Sequence, residues 1–350
     1  MTRTRVLVVD DSATVRGHLT AVLSTDPQLD VVAETGDGAQ AVELCQRLRP
    51  DVITMDMVLP GMSGLVATEH IMAHCPTPIL VVSSSTNRGE LFRTCDALAA
   101  GAVDVLEKPD RDNHGRRWEG QLIAAVKLVA RIKVITHPRL RLNGDAGPPA
   151  VATRTGVCEV LAVGASTGGP HAIVEVLRAL PRECTVPVLL VLHINEPFGA
   201  AFAEWLGSHL SRPVRYPHDE EPLSAVRGTV VMAPPGEHLE VRHGRLHRTD
   251  GPARHSCRPS VDVLFQSLAQ ELGPVTAGCL LTGMGRDGAA GLLALRRAGA
   301  RTVAQDEHTS TVYGMPREAV RLGAAELVLP LDEIGPTLAR FAMPVNGAHQ

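Results

Sequence analysis

The chain has 350 residues, with 34 basic and 38 acidic side chains and a formal net charge of −4. No long run of one sign is present, which argues against a nucleic-acid-binding output, since that would carry a basic stripe. No apolar run reaches about 18 residues and the N-terminus enters a short strand at once, so neither a signal segment nor direct membrane insertion is expected; the expected location is cytoplasmic.

At roughly 100–200 residues per domain, two domains are the natural division. Aromatic residues are only 3% of the chain. The cores must then be built from Val, Leu, Ala and Ile, which suits parallel strands buried on both faces. The cysteines (Cys45, Cys75, Cys95, Cys158, Cys184, Cys257 and Cys279) are scattered, with no C-x-x-C pair. An odd, dispersed set reads as free thiols in a reducing compartment.

Strand-like runs are expected at Arg5–Val9, Val31–Ala33, Val52–Met55, Ile79–Val82 and Val103–Leu106. Helices such as Ala13–Leu23 and Ala39–Leu48 lie between them, and a last helix, about Gly120–Ile135, closes the unit. Strands alternating with helices imply a parallel sheet with crossovers on both faces. The stretch His137–Gly156 carries Pro138, Gly144, Gly147, Pro148 and Pro149 with little periodicity, and reads as an interdomain linker.

A second alternating block begins at Val157. Strands are expected at Val160–Val163, Val188–His193 and Thr276–Leu281. Helices are expected at Pro170–Ala179, Phe198–Leu210, Ser260–Leu272 and Ala289–Arg297. Between them, Val214–Arg248 holds Gly228, Gly236 and Gly244 among short β-prone runs, the texture of hairpins. The second domain therefore reads as doubly wound α/β with an antiparallel hairpin insertion.

Asp10 and Asp11 follow the first strand and Asp56 ends the third. Ligands of open parallel sheets bind outside the strand carboxyl ends, so these acids should converge. Like charges there call for a cation, and Mg²⁺ held by carboxylates is the obvious candidate. Ser83 ends the fourth strand with a hydroxyl, and Lys108 ends the fifth with a point charge suited to a phosphoryl oxygen. Pro109 makes the Lys108–Pro109 bond a candidate cis bond that aims the lysine. Taken singly, each residue is more often an N-cap or a solvated charge; all five at the ends of strands in order are hard to obtain by accident.

Residues 1–125 resemble a two-component response-regulator receiver domain, of (βα)5 form. The resemblance rests on Val8-Val9-Asp10-Asp11-Ser12, on Met55-Asp56-Met57 through Pro60-Gly61-Met62-Ser63-Gly64, on Val82-Ser83-Ser84 and on Lys108-Pro109. It implies phosphorylation of Asp56 by a histidine kinase, Mg²⁺ held by Asp10, Asp11 and Asp56, and Ser83 and Lys108 sensing the phosphoryl oxygens. The family's reporter aromatic has no counterpart in Val103-Asp104-Val105-Leu106.

The second domain opens with Val163-Gly164-Ala165-Ser166-Thr167-Gly168-Gly169-Pro170, which satisfies the nucleophile-elbow pattern G-x-S-x-G. On this motif alone three readings stay open: a nucleophile, a nucleotide-phosphate cradle and a simple helix cap. His193, at the end of the next strand, can sit beside Ser166 at the same sheet edge. Asp287 lies in the glycine-rich stretch Leu281-Thr282-Gly283-Met284-Gly285-Arg286-Asp287-Gly288, whose bland reading is a β-to-α turn with an aspartate N-cap. Together they make a Ser-His-Asp set of nucleophile, base and orienting acid. Their chain order differs from the Ser…Asp…His of α/β-hydrolases.

Residues 157–340 resemble the catalytic domain of the chemotaxis protein-glutamate methylesterase family, CheB, with 126–156 as the linker. The resemblance is carried by Gly164–Pro170, Val231–Leu239, Arg258-Pro259-Ser260-Val261-Asp262, Leu281–Gly288, Gln305-Asp306-Glu307 and Val312–Pro316. It implies catalysis by Ser166, His193 and Asp287. Thr167, Met284 and Gly285 would form the oxyanion and substrate-positioning region, and Arg258-Pro259-Ser260 would line the cleft. His193-Ile194-Asn195-Glu196-Pro197-Phe198 departs from the family's usual His-Met-Pro, and Leu192 stands where Gln is common; receptor specificity is what these changes touch.

The expected activity is hydrolysis of glutamate γ-methyl esters on methyl-accepting chemoreceptors, with deamidation of glutamine as a second reaction and no cofactor in the esterase domain. The resemblance also implies that the unphosphorylated receiver covers the cleft. The alternatives are a receiver-containing adaptor that acts by binding, a paralogue serving a non-chemotaxis receptor pathway, and a DNA-binding regulator, which the missing basic patch disfavours.

Overall fold

The computed structural model describes residues 3–84, 87–109, 116–132, 134 and 157–343. The chain divides into two compact units, Met1–Gly144 and Asp145–Gln350.

In the first unit β1 (Thr4–Val9), α1 (Ala13–Ser24), β2 (Leu29–Thr35), α2 (Gly38–Leu48), β3 (Val52–Met55), α3 (Gly64–His74), β4 (Ile79–Ser83), α4 (Arg88–Ala99), β5 (Asp104–Glu107) and α5 (Arg116–Val129) alternate strictly. The five strands form a parallel sheet in the order β2-β1-β3-β4-β5. Every residue of β3 and β4 is buried, as continuous apolar runs covered on both faces require. Ser12, Asp37, Ser63 and Asn87 each accept a backbone N–H at the start of a helix, which satisfies one of the donors a helix leaves unpaired there.

Two expectations need correction in this unit. The last helix covers Arg116–Val129, so residues 126–129, assigned to the linker from sequence, are helical. The linker core His137–Gly156 lies outside the described residues. The cis peptide bonds among the described residues are Glu196–Pro197 and Arg258–Pro259, and Lys108–Pro109 is not one of them. Two carboxylates, rather than a proline isomer, aim the lysine.

The second unit is built on a seven-stranded, wholly parallel sheet. Its strands are β6 (Val160–Ala165), β7 (Val188–Leu192), β8 (Val214–Arg215), β10 (Val230–Met232), β13 (Thr276–Leu280), β14 (Arg301–Gln305) and β15 (Leu327–Leu329). Their order is β15-β14-β13-β6-β7-β10-β8. The chain starts in the middle at β6, builds outward to β8 on one side, then returns to add β13, β14 and β15 on the other. That reversal at β6 makes a topological switch point, where a crevice opens beyond the strand carboxyl ends.

The texture read as hairpins divides in two. β9 (Glu221–Pro222), β11 (His238–Arg242) and β12 (Arg245–Thr249) do form a small antiparallel sheet. β8 and β10, from the same stretch, instead join the parallel sheet: the wholly buried Val-Val-Met run of β10 extends its inner layer, and the half-buried, two-residue β8 pairs onto β10 as the edge strand.

The helices of this unit are α6 (Gly169–Arg178), α7 (Phe198–His209), α8 (Val261–Glu271), α9 (Ala289–Arg297), α10 (Met315–Arg321) and α11 (Leu331–Ala342). α8 lies against β6 at Gly164, where an added Cβ would stand 2.3 Å from Val261 Cγ1. Val160, Leu189, Val231, Leu264, Phe265 and Leu292 fill the core on that face, each buried side chain contributing roughly 1.5–3 kcal/mol. No helix among the described residues is long and apolar enough to cross a membrane.

Candidate functional site

β13, β6 and β7 are adjacent strands, and the turns after them carry Asp287, Ser166 and His193. Ser166 leaves β6 in a tight turn: its N–H donates to Thr282 O at 3.0 Å, and its carbonyl accepts from Gly169 N at 2.7 Å. Gly168, in the left-handed region at φ 74°, is the N-cap of α6 and makes no side-chain cap bond. The simple-cap reading of Ser166 is therefore excluded. His193 N donates to Ala165 O at 3.1 Å, which sets the histidine beside the residue preceding Ser166.

Asp287 does not cap its own helix either. The N-cap of α9 is Gly288, with no side-chain cap bond. The Asp287 carboxylate instead reaches the N-terminus of α8. Ser260 Oγ donates to Oδ1 at 2.7 Å, Val261 N to Oδ2 at 2.7 Å and Asp262 N to Oδ1 at 3.2 Å. A carboxylate there satisfies orphan amides and meets the positive end of the helix dipole. His193 Nε2 lies 2.9 Å from Oδ2 of the same carboxylate.

Burial alone would push the Asp287 carboxyl up, but its bonds to His193 and Ser260 outweigh burial and hold it below the usual range. Burial likewise disfavours the His193 imidazolium, and Asp287 and Cys257 overcome it, raising the group to about 9. An ionised Asp287 accepts the Nε2 proton, so a neutral His193 keeps its lone pair on Nδ1. Nδ1 is the atom available as a base. Cys257 Sγ stands 3.7 Å from it. Among the described residues no hydrogen bond joins the Ser166 hydroxyl to His193; such bonds are commonly loose before substrate binds.

Gly283 abuts Ser166: a Cβ added at Gly283 would lie 2.8 Å from Ser166 Cβ. The backbone N–H groups of Thr167, Gly168, Met284 and Gly285 donate to no protein acceptor among the described residues. Donors left free around a serine are what a developing oxyanion needs. Met284 is 42% exposed, on the open side of this loop. Thr282 ties the loops together, donating from Oγ1 to Thr167 O at 3.0 Å and accepting from Val312 N at 2.9 Å. Its N–H donates to Gln305 Oε1 at 2.8 Å.

In the first unit the expected acids do converge. Asp10, Asp11 and Asp56 each place a carboxylate oxygen within 4.8 Å of the others. Lys108 Nζ lies 2.8 Å from Asp10 Oδ2 and 3.0 Å from Asp56 Oδ2. Burial pushes the Asp56 carboxyl up to about 6, against the pull of Lys108, and raises Asp10 as well. Burial pulls Lys108 down, but Asp56 and Asp10 prevail and its ammonium is raised. Asp56 Oδ1 is buried with no hydrogen-bond partner. An orphaned carboxylate oxygen among three acids fits a hard, oxygen-seeking cation such as Mg²⁺. Ser83 sits at the end of β4 as expected, but its Oγ accepts from Thr94 Oγ1 at 3.1 Å and makes no hydrogen bond to the acids among the described residues.

Several neighbours were not assigned these tasks from sequence. Ser260 reads there as cleft lining, while its hydroxyl is a partner of Asp287. Thr282 and Gln305 fall in stretches that carry the resemblance but with no role of their own, and Cys257 lies outside them; each acts through a partner remote in sequence.

Comparison with known proteins agrees with this division. The family described as CheB methylesterase matches residues 161–338, and the response regulator receiver domain family matches residues 6–116. A protein-glutamate methylesterase/protein-glutamine glutaminase of Anaeromyxobacter dehalogenans is 44% identical over 335 residues, covering 94% of each chain. One from Nitrosospira multiformis is 41% identical, with 96% of each chain covered. The crystal structure of the Thermotoga maritima CheB methylesterase catalytic domain covers 52% of this chain and 97% of that one, at 29% identity and a TM-score of 0.49.

Proposed function

The chain belongs to the CheB methylesterase family, and on that premise we propose that it hydrolyses glutamate γ-methyl esters on chemoreceptors under the control of phosphorylation at Asp56. The observation that carries this is the pairing of His193 Nε2 with a fixed, ionised Asp287 at the mouth of the strand that delivers Ser166.

In this reading Ser166 Oγ attacks the ester carbonyl while His193 Nδ1 takes its proton. The oxyanion is met by free N–H groups from the Thr167 and Met284–Gly285 segments. The imidazolium then protonates the departing methoxide, so methanol leaves and an acyl-serine remains. Water, deprotonated by the same Nδ1, releases the glutamate. A glutamine side chain would follow the same path with ammonia as the leaving group, which accounts for the second activity in the names of the relatives.

On the receiver side, Asp56 accepts a phosphoryl group from a histidine kinase. Asp10, Asp11 and Asp56 hold Mg²⁺, which when bound supplies positive charge to offset the acids and the incoming phosphoryl group. Lys108, already paired with both buried acids, is placed to follow the phosphoryl oxygens, and Ser83 would reach them by turning to a phosphoryl oxygen the proton it now donates to Ser84 O at 3.4 Å, a change that its acceptance from Thr94 does not oppose. The added charge biases a two-state receiver.

Receptor membranes carrying radiolabelled methyl esters test the chemistry. Labelled methanol should appear with the wild type and vanish with Ser166→Ala. Release at the wild-type rate from Ser166→Ala would overturn the proposal.

A further inference from the structure

Of the seven cysteines, Cys257 is the one that is not buried. Its sulfur is 3.7 Å from His193 Nδ1. The opposite ring nitrogen is held by Asp287 at 2.9 Å. His193, Cys257 and Asp287 place one donor atom each within 4.8 Å of one another. The thiol also lies 3.5 Å from the His255 carbonyl oxygen, to which it can donate, and no step of the esterase mechanism uses it.

The spacing has a specific chemical meaning. Zinc binds thiolate sulfur at about 2.3 Å and imidazole nitrogen at about 2.0–2.1 Å in a tetrahedral shell, which puts the two donors roughly 3.6 Å apart. The second shell is in place too: a metal-bound histidine usually gives its other N–H to a carboxylate, which fixes the tautomer and strengthens the ligand. Asp287, itself locked by Ser260 and two helix amides, is that carboxylate. The nearby His255 is not a third ligand. Its Nε2 faces Asp262 at 3.1 Å and its Nδ1 faces Arg286 at 3.3 Å.

We propose that Cys257 Sγ and His193 Nδ1 form a binding site for a soft divalent cation of the Zn²⁺ class, and that occupancy switches the esterase off. On binding, the Cys257 thiol releases its proton to solvent and the thiolate donates to the metal. A neutral His193 donates its Nδ1 lone pair, with Nε2–H retained on Asp287. The two remaining positions of the tetrahedron fall to water. The lone pair given to the metal is the one that would take the proton of Ser166, so metal and catalysis exclude each other. Metal binding does not depend on the esterase reading; the loss of activity does.

Cobalt(II) titration of the full chain, with Mg²⁺ present to fill oxygen-only sites, tests the site directly. One equivalent should develop a thiolate-to-cobalt charge-transfer band that Zn²⁺ removes. Cys257→Ser and Cys257→Ala should both lose the band, and Asp287→Asn should weaken binding about ten- to a hundredfold. Zn²⁺ should inhibit ester hydrolysis by the wild type, and inhibition of Cys257→Ser, relative to its own metal-free rate, should need at least about tenfold more. No band in the wild type, or an undiminished band in both Cys257 variants, would overturn the site. A Cys257-dependent band with no zinc inhibition of an active enzyme would overturn the switch. A band in a chain that hydrolyses no ester would leave the metal site standing and remove the esterase reading.

Discussion

Ser260 donates its hydroxyl to Asp287 Oδ1 across 2.7 Å of buried space, and so links the start of α8 to the acid that orients His193. Removing that donor leaves a buried carboxylate short of one bond, at a cost of about 1–3 kcal/mol. We expect Ser260→Ala to lower thermal stability by that amount and to lower kcat more than it raises KM. Ser260→Thr, which keeps the hydroxyl, should recover most of both. A Ser260→Ala enzyme with wild-type kcat would show that the two amides of α8 suffice.

Gly164 is a packing prediction. An added methyl would collide with Val261 Cγ1 at 2.3 Å, so Gly164→Ala must push α8 from β6 and carry the Asp287 anchor with it. Overpacking of this kind costs about 1–3 kcal/mol. The expected outcome is a lower denaturation midpoint together with a loss of ester hydrolysis larger than instability explains. Gly228→Ala, where an added Cβ has open space at φ 71°, should lose stability without changing kcat.

The pH dependence follows from His193. Its group is raised to about 9, and only the neutral ring can take a proton. Hydrolysis should therefore climb as pH rises and level off once the histidine has lost its proton. Asp287→Asn removes a stabiliser of the imidazolium, so its residual activity should reach half-maximum at lower pH. The pH profile of kcat/KM, measured with a chelator present, checks both signs.

In the receiver, Lys108 and Asp56 should respond in opposite directions. Lys108→Met leaves Asp10 and Asp56 buried without their cation, a change that typically costs about 3–5 kcal/mol. Asp56→Asn removes a carboxylate whose folded-state value lies at about 6 rather than the usual 3.8, and should stabilise the receiver. The sign with pH is the same: the folded receiver holds this proton more tightly than the unfolded chain, so stability falls as pH rises from the unfolded value towards the folded one. Mg²⁺ should recover part of the loss in Lys108→Met and add less to Asp56→Asn. Chemical denaturation with and without Mg²⁺ reads all of these.

Much of this was legible in the chain itself. The strands ending at Met55, Ser83 and Leu192 were readable because continuous Val/Ile/Leu runs have few other uses. Asp10, Asp11, Asp56, Ser166 and His193 were readable because each stands where such a run stops, and Asp287 because it lies in a glycine-rich loop that follows one. The helical end at Arg116–Val129 was displaced because an amphipathic pattern gives the face of a helix better than its limits. The split of Val214–Arg248 was hidden, since two- and three-residue strands such as β8 and β10 carry no periodicity and owe their place to the sheet they extend. The role of Ser260 was hidden for a different reason: a hydroxyl at a helix start looks like a cap, and only the return of the chain at Asp287 turns it into a tether.

The central claim joins two units, and one assay reads both. Methanol release from methylated receptor membranes would be followed for the wild type, Ser166→Ala and Asp56→Asn, each with and without a small-molecule phosphodonor and Mg²⁺. We expect release from the wild type that the phosphodonor stimulates, none from Ser166→Ala, and release from Asp56→Asn that the phosphodonor leaves unchanged. Phosphorylation of Asp56 with no methanol release from any methylated receptor would contradict the claim.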